Sequence, residues 1–307
     1  MSHPPEDETP RGIFVGLATL DTAYRVEALP APNAKITALS QELAAGGPAA
    51  NAAVTFAALG GNAVLITAIG AHPLARHVVA ELAGRGVEVV DCTPGSTGPP
   101  AVSSIYVVDA TGDRSVVSVN GASIAPRPQP MLAATIAGAG VLVVDGHHPE
   151  LALAASRLAR GSGVPVVLDG GSWKLVLDEL LPLVDVAICS ADFRAPGVAT
   201  VGESARELRR RGVPAVAVTR GGEPVLWWSG ASAGEVAVPR VSVRDTLGAG
   251  DVFHGAFGYA TSRWPEIAFP RALAFAAEVA AVRCAVPGLR AWLDTPALAD
   301  VIAKETP

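Results

Sequence analysis

The 307-residue chain has little of what would tie it to a disulfide framework, a nucleic acid or a membrane. Its three cysteines, Cys92, Cys189 and Cys284, are far apart and never in CxxC spacing. That argues against a disulfide scaffold and a structural zinc site, and it fits a reducing cytoplasm. Positive charge is scarce: 23 Lys and Arg face 29 Asp and Glu, for a net charge of -6. The one basic run, Arg209-Arg210-Arg211, is expected at a helix end, where cations meet the negative end of the dipole. Nucleic acid and anionic membrane surfaces are therefore poor partners. No stretch reaches the ~18 uncharged apolar residues of a membrane span without Gly or Pro interruption. Residues 1–11, "MSHPPEDETPR", carry no signal-peptide core and read as a disordered tail. Aromatics are only 5%, yet half of the chain is apolar. That is ample core for one large α/β domain, residues 12–307.

Near-continuous apolar runs stand at 12–17, 63–67, 140–145, 164–169, 185–189 and 214–219. Such runs suit parallel strands covered on both faces. Helical patterns fall at 48–59, 73–85, 149–162, 174–181, 202–211, 248–263 and 270–285. Repeated strand–helix units predict a doubly wound, mainly parallel sheet flanked by helices. Residues 19–45 and 101–120 break the rhythm. The second segment alternates around Thr111-Gly112-Asp113, a hairpin signal. Both predict a small separate β-sheet lying as a lid over one edge of the domain.

The stretch "RDTLGAGDVFHGAF", residues 244–257, carries the chemistry. Gly248, Ala249 and Gly250 leave backbone N–H groups unobstructed at the start of an apolar helix. Free amides and the helix dipole together make an anion site, suited to a phosphoryl group. Asp251 beside that site is costly for simple phosphate binding. It makes sense as a base taking a proton from a hydroxyl that attacks phosphorus. The plain alternative is an ordinary helix cap.

"DTLGAGD" closely resembles a signature of the ribokinase-like carbohydrate kinases, the PfkB family. "AAGGPAANAAVTFAALG", residues 44–60, resembles that family's Gly-Gly-x-x-x-Asn signature, and "IFVGLATLD" its first strand. The resemblance covers residues 12 to about 295 and implies the ribokinase-like fold with its β-sheet lid. It implies an ATP-dependent kinase using Mg2+, with Asp251 as base and the 248–250 amides as anion hole. Donors of that kind are each worth on the order of 10²–10³ in rate. Asp21 would bind sugar hydroxyls, since a carboxylate accepts two hydrogen bonds from vicinal hydroxyls. Gly46, Gly47 and Asn51 would line the same sugar. Thr219, Gly221, Gly222 and Thr246 would line the nucleotide, with 281–288 running past its base. Asp245 resembles a residue that helps place a monovalent cation such as K+ in some members.

There are departures. Ser190-Ala191-Asp192-Phe193 stands where many members carry Asn-x-x-Glu, which orders magnesium waters, so Asp192 or the nucleotide alone would hold the metal; no protein metal site is expected. Pro48 replaces a lysine common in ribokinases. The motifs lean toward the ketohexokinase and sulfofructose kinase branch, hence toward the primary hydroxyl of a ketohexose, with Lys35 and His147 as substrate-side candidates. A ribose-type or nucleoside kinase, and a non-catalytic sugar-binding protein, are the alternatives. A nicotinamide dehydrogenase is disfavoured, because Gly16 stands alone where Gly-x-Gly-x-x-Gly is needed. Exposed lid edges predict a homodimer paired through the lid.

Overall fold

Strand and helix formation follow the apolar runs closely. The computed structural model describes residues 9–121 and 124–304; most of the expected N-terminal tail lies outside them, and Arg11 already opens the first strand. The first half of the chain holds β1 (Arg11–Val15), β2 (Thr19–Val26), β3 (Ser40–Gly46), α1 (Pro48–Ala58), β4 (Asn62–Thr67), α2 (Pro73–Gly84) and β5 (Val87–Asp91). Then come β6 (Ala101–Val108), β7 (Arg114–Ser118), α3 (Leu132–Ile136), β8 (Val141–Val144), α4 (Pro149–Gly161) and β9 (Val166–Gly170). The second half adds α5 (Leu177–Leu180), β10 (Val186–Ser190), α6 (Val201–Arg210), β11 (Ala215–Arg220), β12 (Glu223–Ser229) and β13 (Ser232–Val236). It closes with α7 (Ala249–Arg263), α8 (Phe269–Ala285) and α9 (Pro296–Lys304).

The large sheet has the order β13-β12-β11-β10-β9-β8-β1-β4-β5. From β11 to β5 every pairing is parallel, while β12 and β13 add an antiparallel edge. Alternation along each strand splits the core. Phe14 faces a layer built with α1, α7 and α8, while Ile13 and Val15 face one built with α4 and its neighbours. The arrangement is doubly wound, as the runs predict. The strand order reverses at β1, with β4 on one side and β8 on the other. Ligand sites in open α/β sheets form at such a switch, beyond the strands' C-terminal ends.

The two irregular segments form the second sheet, in the order β3-β2-β6-β7. It joins the hairpin β6–β7 to the β2–β3 pair through a parallel β2–β6 ladder. The Arg209–Arg211 run does end α6, where Glu207 and Asp178 pair with it and Arg211 lies over the Trp173 ring.

Candidate active site

The site begins at the two strands that flank the switch. After β1 the chain turns into β2, which carries Asp21, 8% exposed. Thr19 donates to its Oδ1 at 2.5 Å. Burial pushes the Asp21 carboxyl up, against hydrogen bonds from Thr19 and Ser103 and the nearby Arg290 charge. Gly46 pairs across the lid beside it, and a Cβ at that position would overlap the Asp21 carboxylate. Here glycine is required by the acid rather than by its own backbone. Gly47, next in the chain, sits before the first residue of α1 with φ 93°.

Asn51 lies in the first turns of α1, and Asp251 in the first turn of α7. The two helices pack on the same face of the sheet, so residues 200 apart in sequence meet: Asn51 Nδ2 donates to Asp251 Oδ2 at 2.8 Å. Gly248 precedes α7 with φ 71°, and no side chain caps the helix. The amides of Gly248, Gly250 and Asp251 find no protein acceptor among the described residues, which leaves them free for an anion. Ala249 differs from the expectation: its N–H points to the Thr246 carbonyl at 3.3 Å, a long bond.

The Asp251 carboxyl is raised to about 7, by burial first and then by the Asp169 charge; the Asn51 bond and His254 oppose this. Asp169, at the end of β9, and His254, in α7, were not singled out from the sequence. The His254 ring is buried, with Nδ1 2.7 Å from the Gly250 carbonyl oxygen and Nε2 3.1 Å from that of Ile188. Asp169 Oδ2 lies 3.6 Å from Nδ1. The ring sits between the first turn of α7 and β10, donating to one of the two carbonyls when neutral and to both when protonated. A histidine three residues after a candidate base was the one available signal.

One cavity is lined by Asp21, Ala45, Asn51, Gly248, Arg283 and Arg290 among others; Asp251 is not in its lining but is bonded to Asn51, which is. Arg290 is the organiser that the sequence did not reveal. Its Nη1 donates to Asn51 Oδ1 at 3.0 Å, its Nε to Glu81 Oε1 at 3.0 Å, and its Nη2 to the Ala45 carbonyl. With Oδ1 held by a guanidinium, the Asn51 amide nitrogen must face Asp251. The cavity thus brings the Asp21 carboxylate, Asn51 and Gly248 together, with Asp251 directly behind Asn51.

The other expected residues lie elsewhere. Lys35 is exposed in the loop between β2 and β3 and does not line the cavity. His147 follows β8, its amide bound to the buried Asp145 at 2.8 Å; it too is outside the cavity lining, and burial lowers its pKa. Thr219 ends β11, where its hydroxyl lies 3.4 Å from the Cys189 carbonyl, and Gly221 and Gly222 turn into β12 on the same C-terminal edge of the sheet. The Thr246 hydroxyl oxygen accepts from Arg114 Nη1 of the lid at 2.5 Å. Asp192 is exposed just past β10. Among the described residues no three His, Cys, Asp or Glu side chains gather to hold a metal ion.

The monovalent-cation expectation at Asp245 needs correction. Its carboxylate is 2% exposed and already filled: Leu247 N donates to Oδ1 at 2.9 Å, Gly288 N to Oδ2 at 3.2 Å, and two arginines face Oδ2. A cation beside this carboxylate would meet the charges of two resident arginines.

The decisive comparison is with family models. Residues 12–296 match that of the pfkB family carbohydrate kinases. The chain belongs to that family. It is 25% identical to a ribokinase of Haemophilus influenzae, over 92% of this chain and 94% of that one. It is also 25% identical to a deoxyribokinase of Salmonella typhi, over 86% and 90% respectively. Among solved structures, a Giardia lamblia ribokinase superposes with a TM-score of 0.82 at 16% identity, covering 97% of this chain and 99% of that one. An Arabidopsis thaliana ribokinase complexed with ribose and ATP gives 0.77 at 21%, covering 96% and 99%. The ribokinase-like fold and the carbohydrate kinase class are thereby established for this pfkB protein. The similar proteins are ribokinases, not specifically the ketohexokinase or sulfofructose kinase branch.

Proposed function

We propose that this pfkB kinase transfers the γ-phosphoryl group of Mg-ATP to a hydroxyl of a free ribose-type sugar. One observation carries the proposal: Asn51, which lines the same cavity as Asp21 and Gly248, is bonded to Asp251 in the first turn of α7. Asp251 takes the proton from the attacking hydroxyl, and the amides of Gly248, Gly250 and Asp251 receive the charge that develops on the phosphoryl oxygens. Asp21 grips the sugar's other hydroxyls. The magnesium comes with the nucleotide as part of the substrate, and Asp169 and Asp192, at the C-terminal ends of β9 and β10, are proposed to order its waters. Thr219, Gly221 and Gly222 are the proposed nucleotide contacts.

The curated relatives named ribokinase and deoxyribokinase favour a five-carbon acceptor. Pro48 favours a second reading, a ketohexose or derivative, because the residue opening α1 beside the cavity cannot donate the charge or hydrogen bonds of a lysine. ADP release with Mg-ATP across ribose, deoxyribose, ribose 1-phosphate, fructose, sulfofructose, tagatose and adenosine separates these readings. Turnover confined to six-carbon sugars or nucleosides would reject the first.

Asp21→Asn tests the sugar role. Losing charged acceptors worth about 1.5–3 kcal/mol each raises the sugar KM by roughly 10–100-fold. The KM for ATP should stay near wild type; an equal rise in both would refute the assignment.

We further propose a cytoplasmic homodimer joined through the lid. The outer strands of that sheet, β3 and β7, have unpaired edges, and Leu43, Val116 and Val117 are exposed on them. Light scattering at micromolar concentration should give twice the chain mass. The double variant Leu43→Glu, Val117→Glu should give the monomer.

A further inference from the structure

The loop that feeds the anion hole is clamped by a buried ion pair. Asp245 opens this loop, and Arg283, in the last turn of α8, is only 2% exposed. Its Nη2 lies 3.3 Å from Asp245 Oδ2, and its Nη1 donates to the Val286 carbonyl at 3.0 Å. The backbone N–H groups of Arg244 and Asp245 both donate to the Cys284 carbonyl, at 2.8 and 3.2 Å. A second guanidinium arrives from the lid: Arg25 of β2 stands 3.7 Å from the same Oδ2 while also pairing with Asp109. Three residues beyond Asp245 lies Gly248, which shares the cavity wall with Arg283.

From this geometry we infer that the Arg283 guanidinium is the resident cation of the anion-hole loop and that this kinase needs no exchangeable monovalent cation. The inference rests on the sugar-kinase reading for its consequence but not for its geometry. A potassium ion beside Asp245 would need dehydration and several oxygen ligands. The carboxylate oxygens already accept two amide N–H groups, and two guanidinium groups face Oδ2 at 3.3 and 3.7 Å. A further positive charge within a few ångströms of both arginines would be repelled, and buried charges are weakly screened. A guanidinium delivers the same positive charge from a covalent tether, so its presence does not depend on salt. It also holds the segment after α8 against the loop before α7, which fixes where the free amides point.

The test uses the intact protein in KCl and in tetramethylammonium chloride at equal ionic strength. Three quantities are read: sugar-dependent ADP release, ATP affinity by calorimetry, and melting temperature. The inference expects turnover and ATP affinity within about twofold between the salts, and no melting shift, since only a bound ion stabilises the fold. A tenfold activation by K+, or a K+-specific rise in melting temperature, overturns it. Melting and ATP binding report on the cation even if every sugar tried is inert, an outcome that would instead count against the sugar-kinase reading. In Arg283→Gln, the tethered charge is gone. Guanidinium ion at millimolar concentration, or K+, should then restore at least part of the lost ATP affinity or turnover. A variant equal to wild type without any added cation would refute the role of Arg283. Should Arg283→Gln fail to fold, the wild-type salt comparison still decides.

Discussion

Asp251→Asn is expected to lower kcat by about 10²–10⁴-fold, the range for loss of a positioned general base. The amide keeps a group of the same size beside Asn51, so sugar and ATP binding should persist in calorimetry. Near-normal turnover would remove Asp251 from the chemistry. The pH dependence follows from its raised pKa. A base must be ionised, so wild-type kcat should climb through about pH 7, the value to which burial and Asp169 push the carboxyl, and level off above it. Stability runs the other way. A folded-state pKa above the unfolded value means that the native state holds its proton more tightly. The resulting stabilisation is complete below about pH 4 and is lost as pH rises through about 7. At pH 8 the wild type carries a disfavoured carboxylate that the Asn variant lacks. The variant should therefore melt above wild type at pH 8, by about 1.5–2 °C per kcal/mol relieved. Below pH 4 the gap should close. An active site that costs stability to keep a charged base is the behaviour expected of catalytic machinery rather than of a cap.

Arg290→Met carries the second large effect. The substitution keeps much of the side-chain stem but removes three hydrogen bonds at once. Glu81 is left as a half-buried carboxylate without its closest cation, and the Ala45 carbonyl loses its donor. Breaking one partner from a buried pair costs about 3–5 kcal/mol, and the lower end applies because both side chains keep an edge in water. A drop in melting temperature of roughly 5 °C follows from about 3 kcal/mol in a chain of this length. The kinetic signature distinguishes positioning from mere scaffolding. Without the guanidinium on its oxygen, Asn51 can turn that oxygen toward Asp251, which would repel the carboxylate and displace the base. At a temperature where the variant is folded, kcat should fall at least tenfold and the pH midpoint should move upward. A variant that melts early but keeps wild-type kcat and pH profile would confine Arg290 to scaffolding. Arg290→Lys should recover the charge but not the three-way fork, so it should restore stability more than rate.

The order of strands and helices, the lid and the catalytic turn were determined by the sequence alone. Apolar runs of strand length can be buried only between two helical layers, and alternation around Thr111-Gly112-Asp113 can only make a separate two-faced sheet. Gly248-Ala249-Gly250-Asp251 is a local device, since its free amides and its acid are fixed by consecutive residues. Three strands and two short helices, α3 and α9, lay outside the patterns, the strands for equally local reasons. The β12–β13 hairpin mixes Trp227 and Trp228 with glycine and exposed polar residues, and β5 follows α2 without a long apolar run. What only the tertiary structure decided are the contacts between distant segments. No periodicity predicts that Asn51 meets Asp251, that Arg290 locks Asn51, or that Arg283 fills the side of Asp245 where a cation was expected. The Asn51–Asp251 contact depends on α1 and α7 packing closely, and the absence of a Cβ at Gly255, which would overlap the Ala52 carbonyl, is what lets them do so. Lys35 and His147 show the converse: their charge and their place in the chain pointed at a ligand, but loop exposure and backbone direction took them away from the cavity. Sequence specifies which groups can do chemistry; the distance between them is set by packing, because it depends on every side chain in between.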